Sequence, residues 1–253
     1  KGGIMILNFK YSSLVIAFIG IFFGLSDARS QINEKELINY AYESTYKPEE
    51  SGKVLITNAN ILTGQGDSIL DASILIDQNK IVAVGKDLDS SDATVIDAEG
   101  KWVTPGIIDI HSHMGVYPAP SLRSNSDGNE ATSPTTPHVW AEHSVWTQDP
   151  QYTLALKGGI TSFHVLVGSA NLIGGRGVTL KNVRSRTVQG MKFPNAPYSL
   201  KMACGENPKR VYGGRNSEPS TRMGNVAGYR DAWIEAEEYL RSLKEYAEKP
   251  DED

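Results

Sequence analysis

Two histidines with a single residue between them follow an apolar segment in "VTPGIIDIHSH", which occupies residues 103–113. In a β-strand, residues i and i+2 point to the same side, so His111 and His113 would direct two imidazoles at one point, with Asp109 on the same face. A chance pair is the alternative interpretation. The Pro-Gly step before the strand and the loop directly after it favour a site at a strand end. Because neutral imidazole is a common ligand of divalent metals, the motif predicts half of a metal site.

The elements that would position these histidines are strands alternating with helices. The segments "GIIDIHSH", "ITSFHVLVG" and "YSLKMACG" are short apolar runs and are predicted to be strands. The segment "GSANLIGGRGVTLK" is rich in glycine but lacks the Gly-Lys-Ser/Thr ending of a phosphate-binding loop, and we expect it to be an active-site loop. This order of elements predicts an α/β fold with a parallel sheet of the barrel or doubly wound kind.

Two helices are predicted in the same part of the chain. In "DPQYTLALKGG", Asp149 is a suitable N-cap, Pro150 suits the first helical position and Gly158 suits the C-cap. The second helix lies in "TRMGNVAGYRDAWIEAEEYLRSLKEYAEK", where apolar residues recur at helical spacing with polar residues opposite. The first helix would connect the first two predicted strands.

The chain before residue 105 is organised differently. Residues 52–104 contain short β-branched runs separated by Asn, Asp and Gly, which predict a small β-sheet subdomain. One hairpin is expected to turn at Asp77 to Lys80. The glycine pairs in this region do not open a helix after a strand, so a dinucleotide-binding fingerprint is excluded. Residues 31–51 are polar and are predicted to be a linker with about one turn of helix.

Residues 1–30 have the pattern of a Sec signal peptide. An apolar core of about twelve residues, which is short for a membrane span of roughly twenty, precedes small residues at a cleavage position after Ser30. An uncleaved anchor is the alternative. We therefore expect a secreted or periplasmic protein with no stable membrane span.

Composition excludes several classes of partner and site. With 253 residues, 40% hydrophobic residues and 22% charged residues, the chain has the composition of a globular protein. The formal net charge of -5 leaves no basic patch for nucleic acid. The single cysteine, Cys204, excludes an internal disulfide and a cysteine-based zinc cluster. A homo-oligomer is compatible with this composition.

The β-sheet unit followed by "VTPGIIDIHSH" resembles the amidohydrolase superfamily, whose first barrel strand ends in a His-x-His metal motif after a Pro-Gly step. The segments "GSANLIGGRG" and "LKMACGENPKRVYGG" resemble the imidazolonepropionase-like branch of that superfamily. The resemblance runs from about Lys53 to the C-terminus. It implies a partial TIM-like (β/α) barrel in residues 105–253, preceded by a small β-sandwich subdomain in residues 52–104.

The resemblance also implies a ligand set. His111 and His113 would bind the first of one or two divalent metal ions, expected to be zinc. A glutamate or a carboxylated lysine commonly completes such sites, and Glu206 in "ACGENPKR" is the candidate because it follows an apolar strand. Lys201 is the weaker alternative because it lies further back on that strand, and a solvated loop position is the other interpretation of Glu206. Asp109 is expected to orient a ligand histidine through the other nitrogen of its ring.

The implied activity is metal-dependent hydrolysis of C–N bonds. A metal-activated water would attack the carbonyl of an amide, a cyclic amide or a dipeptide, so the partner would be a small-molecule or peptide substrate. Members of the superfamily use an aspartate on the last strand as general base, and we expect that residue beyond the C-terminus, which leaves the catalytic residues of this chain unknown. His138 and His143 fall in a polar loop, and His164 is expected to be a core residue.

Length gives a further expectation. A (β/α)8 barrel takes about 250 residues, whereas residues 105–253 offer about 149. We therefore expect the N-terminal portion of a longer amidohydrolase, inactive alone. The alternative is a non-catalytic exported binding or scaffold protein, or a gene fragment that keeps the metal motif.

Overall fold

A computed structural model describes residues 42–89 and 91–248. The chain divides into two compact units, Glu43–Tyr229 on the one hand and Lys1–Tyr42 with Arg230–Asp253 on the other. The predicted signal peptide, residues 1–30, lies outside the described residues, as does the first part of the predicted linker.

The first sheet contains five strands in the order β3-β2-β1-β4, with β5 also paired to β1. Strand β1 is antiparallel to β2, and β2 is antiparallel to β3, whereas β4 and β5 run parallel to β1. The strands are β1 (Val54–Leu62), β2 (Ser68–Asp77), β3 (Lys80–Gly85), β4 (Thr94–Asp97) and β5 (Trp102–Val103).

Alternating buried residues of β1 and β2 form the core of this sheet. Its core contains small and β-branched apolar residues, namely Ala59, Ile61, Ala72, Ile74 and Ala98. The predicted hairpin is confirmed, since β2 ends at Asp77 and β3 begins at Lys80. Between them, Gln78 and Asn79 have φ of 47° and 64°, the left-handed pair that a tight two-residue hairpin turn requires.

The second sheet has four strands in the order β6-β7-β8-β9. Its strands are β6 (Ile107–Ser112), β7 (Ile160–Val165), β8 (Ile173–Lys181) and β9 (Ser199–Met202). Strands β6 and β7 are parallel, and helix α1 (Gln151–Lys157) lies in the connection between them. The predicted parallel pairing is found between β6 and β7 only, because β8 is antiparallel to β7 and β9 is antiparallel to β8.

The helices agree with the predicted positions. The predicted helix between the first two strands is α1, and the Gly158 backbone N–H caps its C-terminal end. Helix α2 (Glu206–Gly213) follows β9, and the long predicted helix is α3 (Arg222–Glu248). Two short 3-10 helices, Arg123–Asn125 and Ala141–His143, lie between β6 and α1. None of the helices that the structure describes is long and apolar enough to cross a membrane.

The glycine-rich segment expected to be an active-site loop is largely strand β8, so that expectation is wrong. Its glycines lie where neighbouring groups leave no room for a side chain. A Cβ at Gly175 would lie 2.6 Å from the carbonyl oxygen of Val139, and one at Gly177 would lie 2.8 Å from His164 Nε2. Close packing on both sides thus explains the glycines.

The core of the second sheet joins β7 and β8 to α1. Phe163 and Val165 of β7 are fully buried, as is Leu180 of β8. The Tyr152 ring of α1 stacks on Phe163, with ring centroids 5.4 Å apart. Residues before the first sheet are also bonded to this region, since the Thr45 N–H donates to the Gln189 carbonyl at 3.0 Å.

Candidate metal site

The paired histidines lie at the carboxyl end of β6. The buried Ser112 between them is only 4% exposed, whereas His111 is exposed and His113 is partly buried. The two imidazole rings meet edge to face, with centroids 5.3 Å apart and planes at 87°. The alternation of a strand thus brings the two rings together, as the spacing predicts.

The orientation of His113 is set by a backbone group. Its Nδ1 lies 2.8 Å from the carbonyl oxygen of Leu166, just after β7. Because a carbonyl only accepts hydrogen bonds, Nδ1 must carry the proton. His113 Nε2 therefore keeps its lone pair, which is the form in which imidazole binds a metal.

Lys201 is the side chain that the structure brings to this pair. Its Nζ lies 3.2 Å from His111 Nε2. The Lys201 charge is the main cause that lowers the pKa of His111, followed by burial and by His113, while Asp109 opposes them. Burial in turn lowers the pKa of Lys201. The lowered pKa of His111 favours its neutral imidazole.

Asp109 does not have the expected role. Its Oδ1 accepts from the backbone N–H of His111 at 3.0 Å rather than from an imidazole nitrogen. The register of β6 against β7 shifts between Asp109 and Ser112, and the Asp109 Cα pairs with that of the core residue Phe163. The extra residue between these two pairs marks a bulge in β6. The carboxylate therefore fixes the backbone of β6 just before its end.

Glu206 is placed elsewhere. It begins helix α2, where its side chain is 77% exposed and its Oε1 lies 3.9 Å from Arg210 Nε. An acidic residue is favoured at a helix N-terminus by the helix dipole. Strand β9 ends at Met202, so Glu206 belongs to a new element rather than to the strand end. Within residues 42–89 and 91–248, no three His, Cys, Asp or Glu side chains are grouped to hold a metal.

The remaining histidines have different surroundings. His138 is exposed, and His143 Nε2 lies 3.7 Å from Glu142 Oε1. His164, in the middle of β7, bonds to the hydroxyls of Thr179 and Ser199. Burial is the main cause that lowers its pKa, with His111 as the second cause.

The loop after His113 is held by a carboxylate that the sequence indicated only as a helix cap. Asp149 is 3% exposed, and its Oδ2 accepts from the Gly115 N–H at 2.8 Å. Its Oδ1 accepts from the Ala119 N–H at 3.3 Å and from the Gln151 N–H at 3.0 Å. One buried side chain thus joins the start of α1 to the loop that leaves the site.

Comparison with known proteins agrees with the fold. An amidohydrolase of known structure from Thermotoga maritima MSB8 is 38% identical and superposes with a TM-score of 0.73 over 79% of this chain and 51% of the other. The amidohydrolase tasK of Hapsidospora irregularis is 36% identical over 225 residues, 78% of this chain and 23% of the relative. A 5-methylthioadenosine/S-adenosylhomocysteine deaminase of Thermococcus onnurineus is 32% identical over 44% of this chain and 27% of its own. No protein-family model matches the chain.

The fold is therefore a partial α/β barrel of the TIM type preceded by a β-sandwich, as the resemblance implies. The chain belongs to the amidohydrolase superfamily and corresponds to the N-terminal portion of its relatives. It spans about half the length of the solved relative and about a quarter of the curated relatives it matches. The narrower imidazolonepropionase-like branch stays a prediction.

Proposed function

We propose that this chain carries the first metal ligands of a hydrolase that cleaves C–N bonds. The observation that carries the proposal is the contact between β6 and β9, where Lys201 Nζ lies 3.2 Å from His111 Nε2 beside the His113 ring. His111 and His113 would hold a divalent metal, expected to be zinc, and Lys201 would complete this part of the site. Relatives named amidohydrolase support hydrolysis of an amide-type bond.

The three side chains fit such a metal. The Leu166 carbonyl fixes the tautomer of His113 with Nε2 free, and the Asp109 carboxylate accepts a hydrogen bond from the His111 backbone N–H. Burial lowers the pKa of Lys201, which favours its neutral amine. That amine could add to CO2, forming an N–C bond and releasing one proton, which gives an anionic oxygen ligand. A negative ligand offsets the charge of a bound cation.

When bound, a divalent metal would lower the pKa of its bound water to near neutrality and would polarise a substrate carbonyl. The chain's own contribution is orientation: the Leu166 carbonyl fixes the His113 imidazole, the Asp109 carboxylate fixes the backbone at His111, and the Asp149 carboxylate holds the loop that follows them. An amide, a cyclic amide or a dipeptide is the proposed substrate class.

We also propose export through the N-terminal segment, supported by its apolar core, and the N-terminal sequence of the expressed protein should then begin near Gln31.

Zinc binding by the purified chain tests the ligand set. His111→Ala, His113→Ala and Lys201→Ala should each lose most bound zinc by elemental analysis, whereas Glu206→Gln and the exposed-lysine control Lys157→Ala should keep it. A carbamate carbon signal from 13C-labelled bicarbonate should appear in the wild type and be absent in Lys201→Ala.

Two results would contradict the ligand set. If Glu206→Gln loses zinc as severely as His111→Ala while Lys201→Ala keeps it, Glu206 is the ligand. If neither histidine substitution lowers zinc content, there is no metal site at β6. Turnover of dipeptides and cyclic amides by the zinc-loaded protein, absent in His111→Ala, would contradict the expectation that this chain is inactive alone.

A further inference from the structure

A polar bridge crosses three strands of the second sheet beside the candidate metal site. His164 projects from β7, and its Nδ1 lies 2.9 Å from the Thr179 hydroxyl on β8. Its Nε2 lies 2.6 Å from the Ser199 hydroxyl on β9. A neutral imidazole can donate from one nitrogen and accept at the other, and a hydroxyl can do either. One side chain thus binds both strands that follow β7.

The bridge is possible because of a glycine in the strand that it crosses. Strand β8 lies between β7 and β9, and Gly177 pairs with Ser199 across the β8–β9 ladder. A Cβ at Gly177 would lie 2.6 Å from Ser199 Oγ and 2.8 Å from His164 Nε2. Any larger residue would therefore occupy the space through which His164 reaches β9.

The bridge ends two residues from Lys201. Residues i and i+2 of a strand share a face, so Ser199 and Lys201 point to the same side of β9. Strand β9 is only four residues long and pairs within the described sheet with β8 alone. Ladder bonds on one edge leave such a short strand weakly held. The bond to Ser199 adds a second attachment on the face that carries Lys201.

We propose that His164 is a positioning residue that, through Ser199, holds Lys201 at the end of β6 beside His111. Both ring nitrogens of His164 are engaged by hydroxyls, so its role is to fix β9 rather than to bind the metal. The inference rests on the proposed function for the role of Lys201, but the attachment of β9 to β7 can be measured independently of any metal.

Zinc affinity of the full chain, measured by competition with a chromophoric chelator, tests the proposal. Ser199→Ala should weaken zinc binding about 10- to 100-fold, the range seen when a group that orients a ligand is removed. Gly177→Ala keeps both hydroxyls but blocks the bridge and should weaken binding similarly. Ser199→Thr keeps a hydroxyl and should retain the affinity, and Thr179→Val, which removes only the β8 end, is the matched control.

A double-mutant cycle shows whether the effect passes through Lys201. In a Lys201→Ala background, Ser199→Ala should cause no further loss of zinc affinity. An equal loss in both backgrounds would overturn the positioning role. Loss in Thr179→Val as large as in Ser199→Ala would overturn it too, because the effect would then be general loosening of the sheet.

Hydrogen exchange of the β9 amides provides the readout that needs no metal. Ser199→Ala should speed exchange at residues 199–202 more than Thr179→Val does, with a circular dichroism spectrum like that of the wild type. Unchanged exchange would overturn the inference. Absence of zinc binding by the wild type, or an unchanged affinity in Lys201→Ala, would instead refute the proposed function, and exchange alone would then decide whether His164 holds β9.

Discussion

The two sheets bury different kinds of side chain. Every buried residue in the described part of residues 43–104 is apolar, from Leu55 to Ala98. The second sheet and its connections bury many polar and charged groups instead, among them Ser112, Thr136, Glu142, Asp149, Ser162, Asn171, Asn182 and Lys192. The first sheet has short hairpins and ladder pairing, whereas the second is connected by long loops.

Loops explain the difference. Backbone groups buried outside a ladder need other partners, and polar side chains provide them. Asn182 donates to the carbonyls of Tyr152 and Ile160, at 3.0 and 2.9 Å. Asp149 accepts from three backbone N–H groups. The loops around the candidate site therefore depend for their shape on buried polar side chains as well as on apolar packing.

The largest loss of folding stability is expected from breaking the buried ion pair in the connections of the second sheet. Lys192 Nζ lies 2.7 Å from Glu142 Oε2, and the two side chains are 8% and 0% exposed. Tyr198 also donates to that oxygen at 2.9 Å. Lys192→Met should leave the carboxylate buried without its counter-charge and lower the free energy of unfolding by about 3–5 kcal/mol. Urea unfolding measures the change.

The first sheet offers a matched control. Lys86 lies 3.7 Å from Asp71, with both side chains mostly exposed, so Lys86→Met should change the free energy of unfolding by less than about 1 kcal/mol. Equal effects of the two substitutions would contradict the comparison between the regions.

The sequence predicted well what depends on local pattern. The histidine pair, the turn at residues 77–80 and both predicted helices follow from spacing and cap residues that act within a few positions. Features that depend on tertiary contact, such as strand β8, were predicted poorly from the sequence. Strand β8 could not be recognised because its glycines are required by Val139 and by His164, which are distant in sequence.

The choice of the third metal ligand also depends on tertiary contact. The sequence distinguishes Glu206 from Lys201 only by their distance from the predicted end of the strand. The strand ends at Met202 and helix α2 begins at Glu206 after the N-cap residue Gly205, a boundary that "GENPKR", with an acidic residue and a proline in the first turn, could have indicated. That Lys201 reaches His111 depends on pairing with Gly175, a long-range register that no local pattern encodes.

A smaller effect, of opposite sign, is expected at a buried hydroxyl. The hydroxyl of Tyr152 in α1 is buried and has no hydrogen-bond partner among the described residues. Its ring is well packed on Phe163. Tyr152→Phe keeps the ring and removes the unpaired oxygen, so the free energy of unfolding should rise by about 1 kcal/mol. Thermal unfolding measures it, and a destabilised variant would show that the hydroxyl has a partner after all.

The smallest change in the free energy of unfolding is expected for a substitution on β6, the outer strand of the second sheet, because its apolar side chains are exposed. Strand β6 pairs only with β7 among the described strands, and Ile110 is 78% exposed. Ile110→Thr keeps the β-branched shape and should change the free energy of unfolding by less than about 0.5 kcal/mol. Ile74→Thr in the first sheet, where the side chain is 5% exposed, buries a hydroxyl and should cost more than about 1 kcal/mol. Because both changes replace Ile by Thr in a strand, a comparable loss at Ile110, measured by urea unfolding, would mean that β6 is covered in solution.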